Sequence, residues 1–281
     1  MRISGFTFCR NAVKYDYPVV ESVRSVLPIC DEFVVNVGRC DDGTLELIRS
    51  IGDPKIKIVE SVWDETLRKD GLIYSQQTNI ALARCKGDWA LYMQADEVVH
   101  EDDLGILQDS MRRELGNTAV RGLLFRYLHF VADYWSTNPW FYHKAVRVIR
   151  NNGEVESCGD AVGFHFIPTQ QYLQSGPKEW LAWSGARIFH YGWVKDPKVM
   201  LEKVKDQISR HHGDSPPAEQ AGLYRQDAFQ FDDYAVLKEF SGRHPAVMQD
   251  RIRGATRWAE RRSRWLNPRF YREVLTRGFR G

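Results

Sequence analysis

Short apolar runs alternate with amphipathic stretches along the first hundred residues. Ile3 to Phe8 predicts a first strand. Asp16 and Pro18 then open a helix whose apolar positions, Val19, Val23, Val26 and Leu27, recur at i, i+4, i+7 and i+8. Phe33 to Val37 predicts a second strand, broken by the turn-rich loop Gly38 to Thr44, which leads into a helix around Leu45 and Ile48. Ile56 to Val59 predicts a third strand, and Leu72 to Ala83 a third helix. Trp89 to Met93 predicts a fourth strand, set off by Lys86-Gly87-Asp88. Strands and helices joined by short connections predict an α/β fold, a mostly parallel twisted sheet flanked by helices.

The fourth strand ends on acidic residues: Gln94, Ala95, Asp96 and Glu97, then Glu101 to Asp103. Ligands of open α/β sheets sit beyond the carboxyl ends of strands, so carboxylates there can reach a ligand or a metal. Glu101 to Asp103 suit the start of a helix through Leu104, Leu107 and Met111, where negative charge complements the helix dipole. Asp96 and Glu97 come too early to be caps, and they are the candidates for chemistry.

Five segments in order then resemble family-2 glycosyltransferases: Phe8-Cys9-Arg10-Asn11, Phe33-Val34-Val35-Asn36-Val37, Cys40-Asp41-Asp42-Gly43-Thr44, Gly87-Asp88-Trp89 and Gln94-Ala95-Asp96-Glu97. The resemblance covers about the first hundred residues, and Lys144 to Arg150 is similar to a later strand of the family. It implies a GT-A-like nucleotide-sugar-binding domain over 1–195, followed by a helical, basic extension over 196–281. It implies donor contacts from Phe8, Arg10, Asn11, Asn36, Asp42, Gln94, Ala95 and Asp96, with Arg68 as a diphosphate partner. It further implies a divalent cation, manganese or magnesium, on Asp96, with Glu97 second and His190 a distant third ligand. The acceptor base falls in Gly153 to Ala161, where Asp160 is preferred and Glu156 stands behind it. Two positions depart from the family: Asn36 and Gln94 stand where it usually has aspartates. An amide can still hydrogen-bond a base or a ribose but brings no charge to a metal.

Composition narrows the surroundings. No stretch approaches the eighteen or so apolar residues of a membrane span, and the chain opens on a strand rather than a signal peptide. Five cysteines without paired or metal-ligand spacing fit a reducing cytoplasm. Residues 120–193 are rich in aromatics; Trp135 and Trp140, in an expected loop, are candidates for stacking on an acceptor sugar. Asp196 and Pro197 start another helix, and His211-His212-Gly213 reads as a surface loop.

From Arg243 onward eleven arginines face three acidic residues, a net of +8 in a chain of net +2. Trp258, Trp265, Phe270 and Tyr271 interleave with these arginines, a pattern suited to an anionic membrane surface, an anionic glycolipid or a neighbouring subunit. No nucleic-acid motif accompanies the charge. The expectation is a cytoplasmic bacterial sugar transferase, peripheral to the inner membrane, using a nucleotide-diphosphate sugar and a saccharide or glycolipid acceptor in surface polysaccharide or lipopolysaccharide synthesis. Two other classes remain open. A nucleotidyltransferase-like enzyme would want a glycine-rich phosphate loop that Phe8 to Asn11 does not supply; a non-catalytic saccharide or nucleotide-sugar binder would suit Asn36 and Gln94.

Overall fold

The computed structural model describes residues 1–231, 237–257 and 268–277. Its strands and helices run in the order β1 (Ile3–Cys9), α1 (Val19–Val26), β2 (Glu32–Gly38), α2 (Thr44–Arg49), β3 (Ile56–Ser61), α3 (Leu72–Leu82), β4 (Trp89–Tyr92), β5 (Glu97–Val99) and α4 (Leu104–Glu114). Then come β6 (Gly122–Val131), β7 (Ser136–Thr137), β8 (Lys144–Arg150), β9 (Val155–Cys158), β10 (Gly163–Phe166), β11 (Gln171–Tyr172) and β12 (Leu181–Trp193). The chain closes with α5 (Pro197–His212), β13 (Lys238–Glu239), α6 (Gln249–Arg253) and α7 (Pro268–Arg277).

β3, β2, β1 and β4 lie side by side and parallel. β8 follows antiparallel to β4, and β6 antiparallel to β8. β12 runs parallel to β6 and also carries β5. Three short strands, β9 to β11, form a separate antiparallel sheet. The expected α/β class and the elements of the first hundred residues are those observed.

Both faces of β1, β2 and β4 are buried, as parallel strands require when both sides of the sheet are covered, while β3 at the edge is partly exposed. On one face Ile3, Phe33, Val35, Leu91 and Val148 pack with Val19 and Val23 of α1 and Leu107 of α4. On the other, Phe6, Val34, Ala90 and Tyr92 pack with Ala81 of α3 and Phe164 of the small sheet. Each buried Val, Leu, Ile or Phe among them contributes about 1.5–3 kcal/mol by leaving water.

The turn into β4 owes its residues to this packing. A Cβ on Gly87 would lie 2.7 Å from the Ser4 nitrogen and 2.8 Å from the Arg2 oxygen. Asp88 accepts a hydrogen bond from the Arg2 amide at 2.6 Å, and the Trp89 indole donates to the Met111 carbonyl at 3.0 Å. Gly87-Asp88-Trp89 is therefore a device that ties β4 to β1 and α4.

Three local expectations change. The stretch from Trp135 to Tyr142 holds the short strand β7, and Trp140 is buried against Phe270. Glu101 to Asp103 do not cap α4 with their side chains: His100 accepts from the Asp102 amide, Asp103 binds Arg187, and Glu101 and Asp102 bind Arg243. His211 and His212 belong to the last turn of α5 rather than to a loop, because α5 stops only at Gly213, whose φ is 63°. Trp258, Trp265 and the arginines between them lie outside the described residues. No helix among the described residues is long and apolar enough to cross a membrane.

Candidate functional site

A cleft of about 250 Å³ opens at the carboxyl ends of β1 and β4. Phe8, Arg10 and Asn11 reach it from β1 and its following turn; Gln94, Ala95 and Asp96 reach it from β4. α5 forms the facing wall. Lys203, Asp206, Gln207, Arg210 and His211 fall at i, i+3, i+4, i+7 and i+8, one stripe of a helix. The other side of α5, through Met200, Val204 and Ile208, packs on Trp193, Leu223, Phe229 and Phe231.

Asp96 is the centre of one end. Its Oδ1 lies 3.6 Å from His190 Nε2, and its Oδ2 lies 3.5 Å from the Lys203 ammonium. Burial works to raise its pKa, but His190, Lys203 and Lys195 more than reverse this and hold it at about 2. Asp96 is ionised at any ordinary pH. Burial lowers the pKa of His190 against the pull of Asp96 and Glu97. A Cβ on Gly192 would sit 2.5 Å from Asp96 Oδ2 and 2.9 Å from His190 Nε2. The glycine thus keeps clear the space between carboxylate and imidazole.

A second corner joins aromatic rings to guanidinium groups. Phe8 and Tyr74 stack at 6.0 Å, and Trp63 meets Tyr74 edge-on at 5.9 Å. Trp63 fits because residue 38 is glycine; a Cβ there would lie 2.3 Å from its indole nitrogen. Arg10 and Arg210 lie 5.1 and 5.4 Å from the Trp63 ring centre, and the Glu65 carboxylate accepts from both. The Trp63 Nε1, Arg10 Nε and Arg210 Nε donors are buried without hydrogen-bond partners. Burying such donors unpaired costs about 1–3 kcal/mol each.

Asp160 stands on the opposite rim, between Gly159 and Ala161, both with positive φ (58° and 64°). Its Oδ1 accepts from the Val162 amide at 3.2 Å, and its Oδ2 lies 4.0 Å from His211 Nε2. His211 Nδ1 donates to the Gln207 carbonyl at 2.9 Å, so Nε2 bears a proton toward Asp160 only when the ring is cationic. The nearby Asp160 carboxylate accordingly raises the His211 pKa. Burial opposes ionisation of Asp160, but His211 and the Val162 amide bring its pKa below the usual range. Gly71 (φ 69°) makes the contact feasible, since a Cβ there would meet Asp160 Cβ at 2.8 Å and His211 Nε2 at 2.9 Å. Gln94 donates to the Ala161 carbonyl at 3.4 Å and tethers this loop to the end of β4.

Five expected site residues lie elsewhere. Glu97 is fully buried. Its two oxygens accept from both sides of the Arg147 guanidinium at 2.8 Å, from the Tyr127 hydroxyl at 2.7 Å and from the Gln94 amide at 3.1 Å. It has no oxygen left for a metal and acts as a structural anchor of β5. Asn36 is sealed inside the fold, its amide donating to the backbone and side-chain oxygens of Gln77. Asp42 closes the turn before α2 by accepting from the Lys14 and Thr44 amides. Arg68 pairs with Asp214 at 2.8 Å on the outside. Glu156 pairs with His165 in the small sheet. Neither stacking candidate lines the cleft: Trp135 carries Arg257 over its ring, and Trp140 is core. Phe141 and Tyr142 line it instead.

Residues that the sequence reading missed are Trp63, His129, Lys203, Arg210 and the pairing of His211. The polar stripe of α5 was legible as a helical repeat of Lys, Asp, Gln, Arg and His on a helix with an apolar opposite face. The partners of Trp63 and His129, distant in sequence, left no such signal.

No protein-family model and no curated protein matches the chain. Among solved structures, it is similar to S. aureus TarS at 14% identity, over 81% of this chain and 43% of that one, with a TM-score of 0.44. It is similar to glucosyl-3-phosphoglycerate synthase from Mycobacterium tuberculosis, in complex with Mn2+, uridine-diphosphate and phosphoglyceric acid, at 15% identity, over 45% of this chain and 43% of that one, with a TM-score of 0.32. Mannosyl-3-phosphoglycerate synthase from Rubrobacter xylanophilus is similar at 20% identity, over 46% of this chain and 41% of that one, with a TM-score of 0.32. The chain thus spans less than half the length of each of these proteins.

Proposed function

We propose that the protein is a GT-A-type glycosyltransferase that moves a sugar, with inversion, from a nucleotide diphosphate to a hydroxyl of a saccharide or glycolipid. The observation that carries this reading is the ionised Asp96, in the turn that follows β4, facing His190 across a space that Gly192 keeps free. Cationic groups of Arg10, Lys203 and Arg210 line the same cleft. A carboxylate and an imidazole lone pair that approach without bonding each other are a donor set fit for a divalent cation, with diphosphate oxygens completing the shell. Asp96 and His190 would hold it, and when bound it would neutralise charge on the leaving diphosphate. Gln94 holds the Asp160 loop and takes no part in that donor set.

Asp160 takes the proton of the acceptor hydroxyl. The hydroxyl oxygen forms the new bond to the anomeric carbon as the bond from that carbon to the diphosphate oxygen breaks. The electron pair leaves with the diphosphate, next to Lys203, Arg10 and Arg210. The depressed pKa of Asp160 keeps it ionised, and so able to accept, at neutral pH. Phe8, Trp63 and Tyr74 offer ring faces to a nucleotide base.

Calorimetric titration with UDP, GDP, CDP and dTDP, each with and without manganese, tests the reading. Tight binding of one nucleotide that needs the metal supports it; binding of none overturns it. Binding without sugar transfer from any matching nucleotide sugar would identify a non-catalytic binder.

A further inference from the structure

We infer that the outward face of α7 docks the protein on an anionic lipid bilayer and brings one rim of the cleft close to the membrane surface. The docking stands by itself; that the acceptor is then a glycolipid rests on the transferase reading above.

Charge of the matching sign is concentrated at this end of the chain. From Arg257 onward eight arginines stand against Glu260 and Glu273, a net of +6 in 25 residues, whereas residues 1–242 carry a net of −6. The arginines just before are already committed to carboxylates: Arg243 to Glu101 and Asp102, Arg251 to Asp16 and Glu21, and Arg253 to Asp250. Those pairs stitch the segment to the body, and the excess charge lies beyond them.

α7 divides its apolar residues between two sides. Phe270 and Val274, at i and i+4, pack on Trp140, and Phe270 is 2% exposed. Tyr271 and Leu275, also four apart, are exposed beside the exposed Arg272. Leu275 is 86% exposed, more than any other large apolar side chain among the described residues. A helix that has already buried one apolar stripe gains nothing in water from a second on its solvent side. At a bilayer surface the guanidinium meets lipid phosphate while Leu275 and Tyr271 meet the acyl boundary. A soluble polyanion would use the charge but not Leu275. A second copy meeting through α7 would set like charge against like.

The packing of α7 fixes what lies beside it. Trp140, under the helix, is followed directly by Phe141 and Tyr142, which line the cleft. Even fully extended, the two residues from Trp140 to Tyr142 span only about 7 Å. Arg257 lies over the Trp135 ring, so the basic segment meets the same stretch a second time. A chain docked by α7 thus holds this rim of the cleft near the bilayer, where the headgroup hydroxyls of a glycolipid lie. Of the saccharide and glycolipid acceptors proposed above, this geometry selects the glycolipid.

Co-sedimentation of the full chain with vesicles tests the inference, using phosphatidylcholine alone and an equimolar mixture with phosphatidylglycerol. Binding should need the anionic lipid and weaken as salt is raised. Leu275→Ser should weaken it by about tenfold and Arg272→Gln by about fivefold. Both positions are exposed, so both variants should keep the wild-type circular dichroism and melting temperature. Ile106→Ser, which removes a half-exposed apolar side chain from α4, should bind as the wild type does. Hydrogen exchange with the anionic vesicles should slow in α7 and at residues 141–143. Equal binding to both kinds of vesicle overturns the docking, as does equal binding by the wild type and Leu275→Ser. Dextran sulfate binding without vesicle binding would identify a polyanion surface instead, and a dimer that Leu275→Ser dissolves would identify a subunit contact. Slowed exchange in α7 but not at residues 141–143 overturns the placement of the cleft. Vesicle binding by a chain that binds no nucleotide would overturn the transferase reading and leave the docking; nucleotide binding without vesicle binding would do the reverse.

Discussion

Two carboxylate–histidine pairs face one cleft, and their histidines shift in opposite directions. Asp96 lies beside a His190 whose pKa is lowered, and Asp160 beside a His211 whose pKa is raised. The residue types are the same, so they do not decide the difference. It comes from depth and from what each ring's other nitrogen meets. His190 is buried, and its Nδ1 lies 3.3 Å from Nδ1 of the equally buried His129. His211 is half-buried at a helix end and gives its Nδ1 proton to a carbonyl, so a second proton on Nε2 is stabilised by Asp160. The first pair suits a cation; the second suits a proton.

The comparison breaks most severely at Asp96. Asp96→Asn keeps the shape but removes the charge, and sugar transfer should fall by on the order of 10³-fold or more, together with any metal-dependent nucleotide binding. Binding isotherms with and without manganese check this; a variant that keeps its metal dependence would move the site elsewhere. Asp160→Asn should cost about 10²–10³-fold in turnover while leaving donor affinity unchanged, because the base acts on the acceptor. Loss of donor binding instead would place Asp160 with the diphosphate.

Most of the fold, and half of the site, could be read before any coordinates. The resemblance to family-2 glycosyltransferases implies Phe8, Arg10, Asn11, Gln94, Ala95 and Asp96, the last also from its place beyond the fourth strand, and all six reach the cleft. Asn36 and Glu97 also sit at strand positions near that edge, yet they face inward. Asp96 is the last residue of the turn after β4 and Glu97 the first of β5, and Arg147, fifty residues later, claims Glu97. A one-residue difference in facing separates a structural anchor from a candidate ligand, and sequence patterns locate such facing only to within a few residues. The histidines failed for another reason. His211 was judged as half of a His-His loop, whereas α5 carries it past Gly71 to Asp160. His129 has its partners at Tyr142 and His190, and only the parallel pairing of β6 with β12 brings them together.

A smaller effect sharpens the contrast. His211→Gln, which removes the charge at every pH, should flatten the pH profile of turnover. In the wild type, activity should rise as pH climbs through the raised pKa of His211, because loss of its charge makes Asp160 a stronger proton acceptor. The glutamine variant should lack that rise. A profile that is unchanged in shape would mean that His211 and Asp160 titrate independently.

The gentlest test uses folding stability, where the two ends of the cleft should pull in opposite directions. Burial takes the pKa of His129 from 6.5 down to about 3, and that of His244, whose Nδ1 meets the Tyr191 hydroxyl, down to about 4. The unfolded chain takes up these protons first. Their contribution is therefore complete above pH 6.5 and is lost as pH falls toward the folded values, at up to about 1.4 kcal/mol per pH unit for each group. His211 has the opposite sign: its raised pKa gives stability that is complete below 6.5 and disappears as pH rises through the folded value. Urea unfolding of the wild type, His129→Asn and His211→Gln between pH 5 and pH 8 separates the two. His129→Asn should lose about 1 kcal/mol less than the wild type between pH 6 and pH 5. His211→Gln should keep the acid-side decline and lose the alkaline one. If all three proteins share one profile, the difference between a neutral and a charged histidine in this cleft is not real.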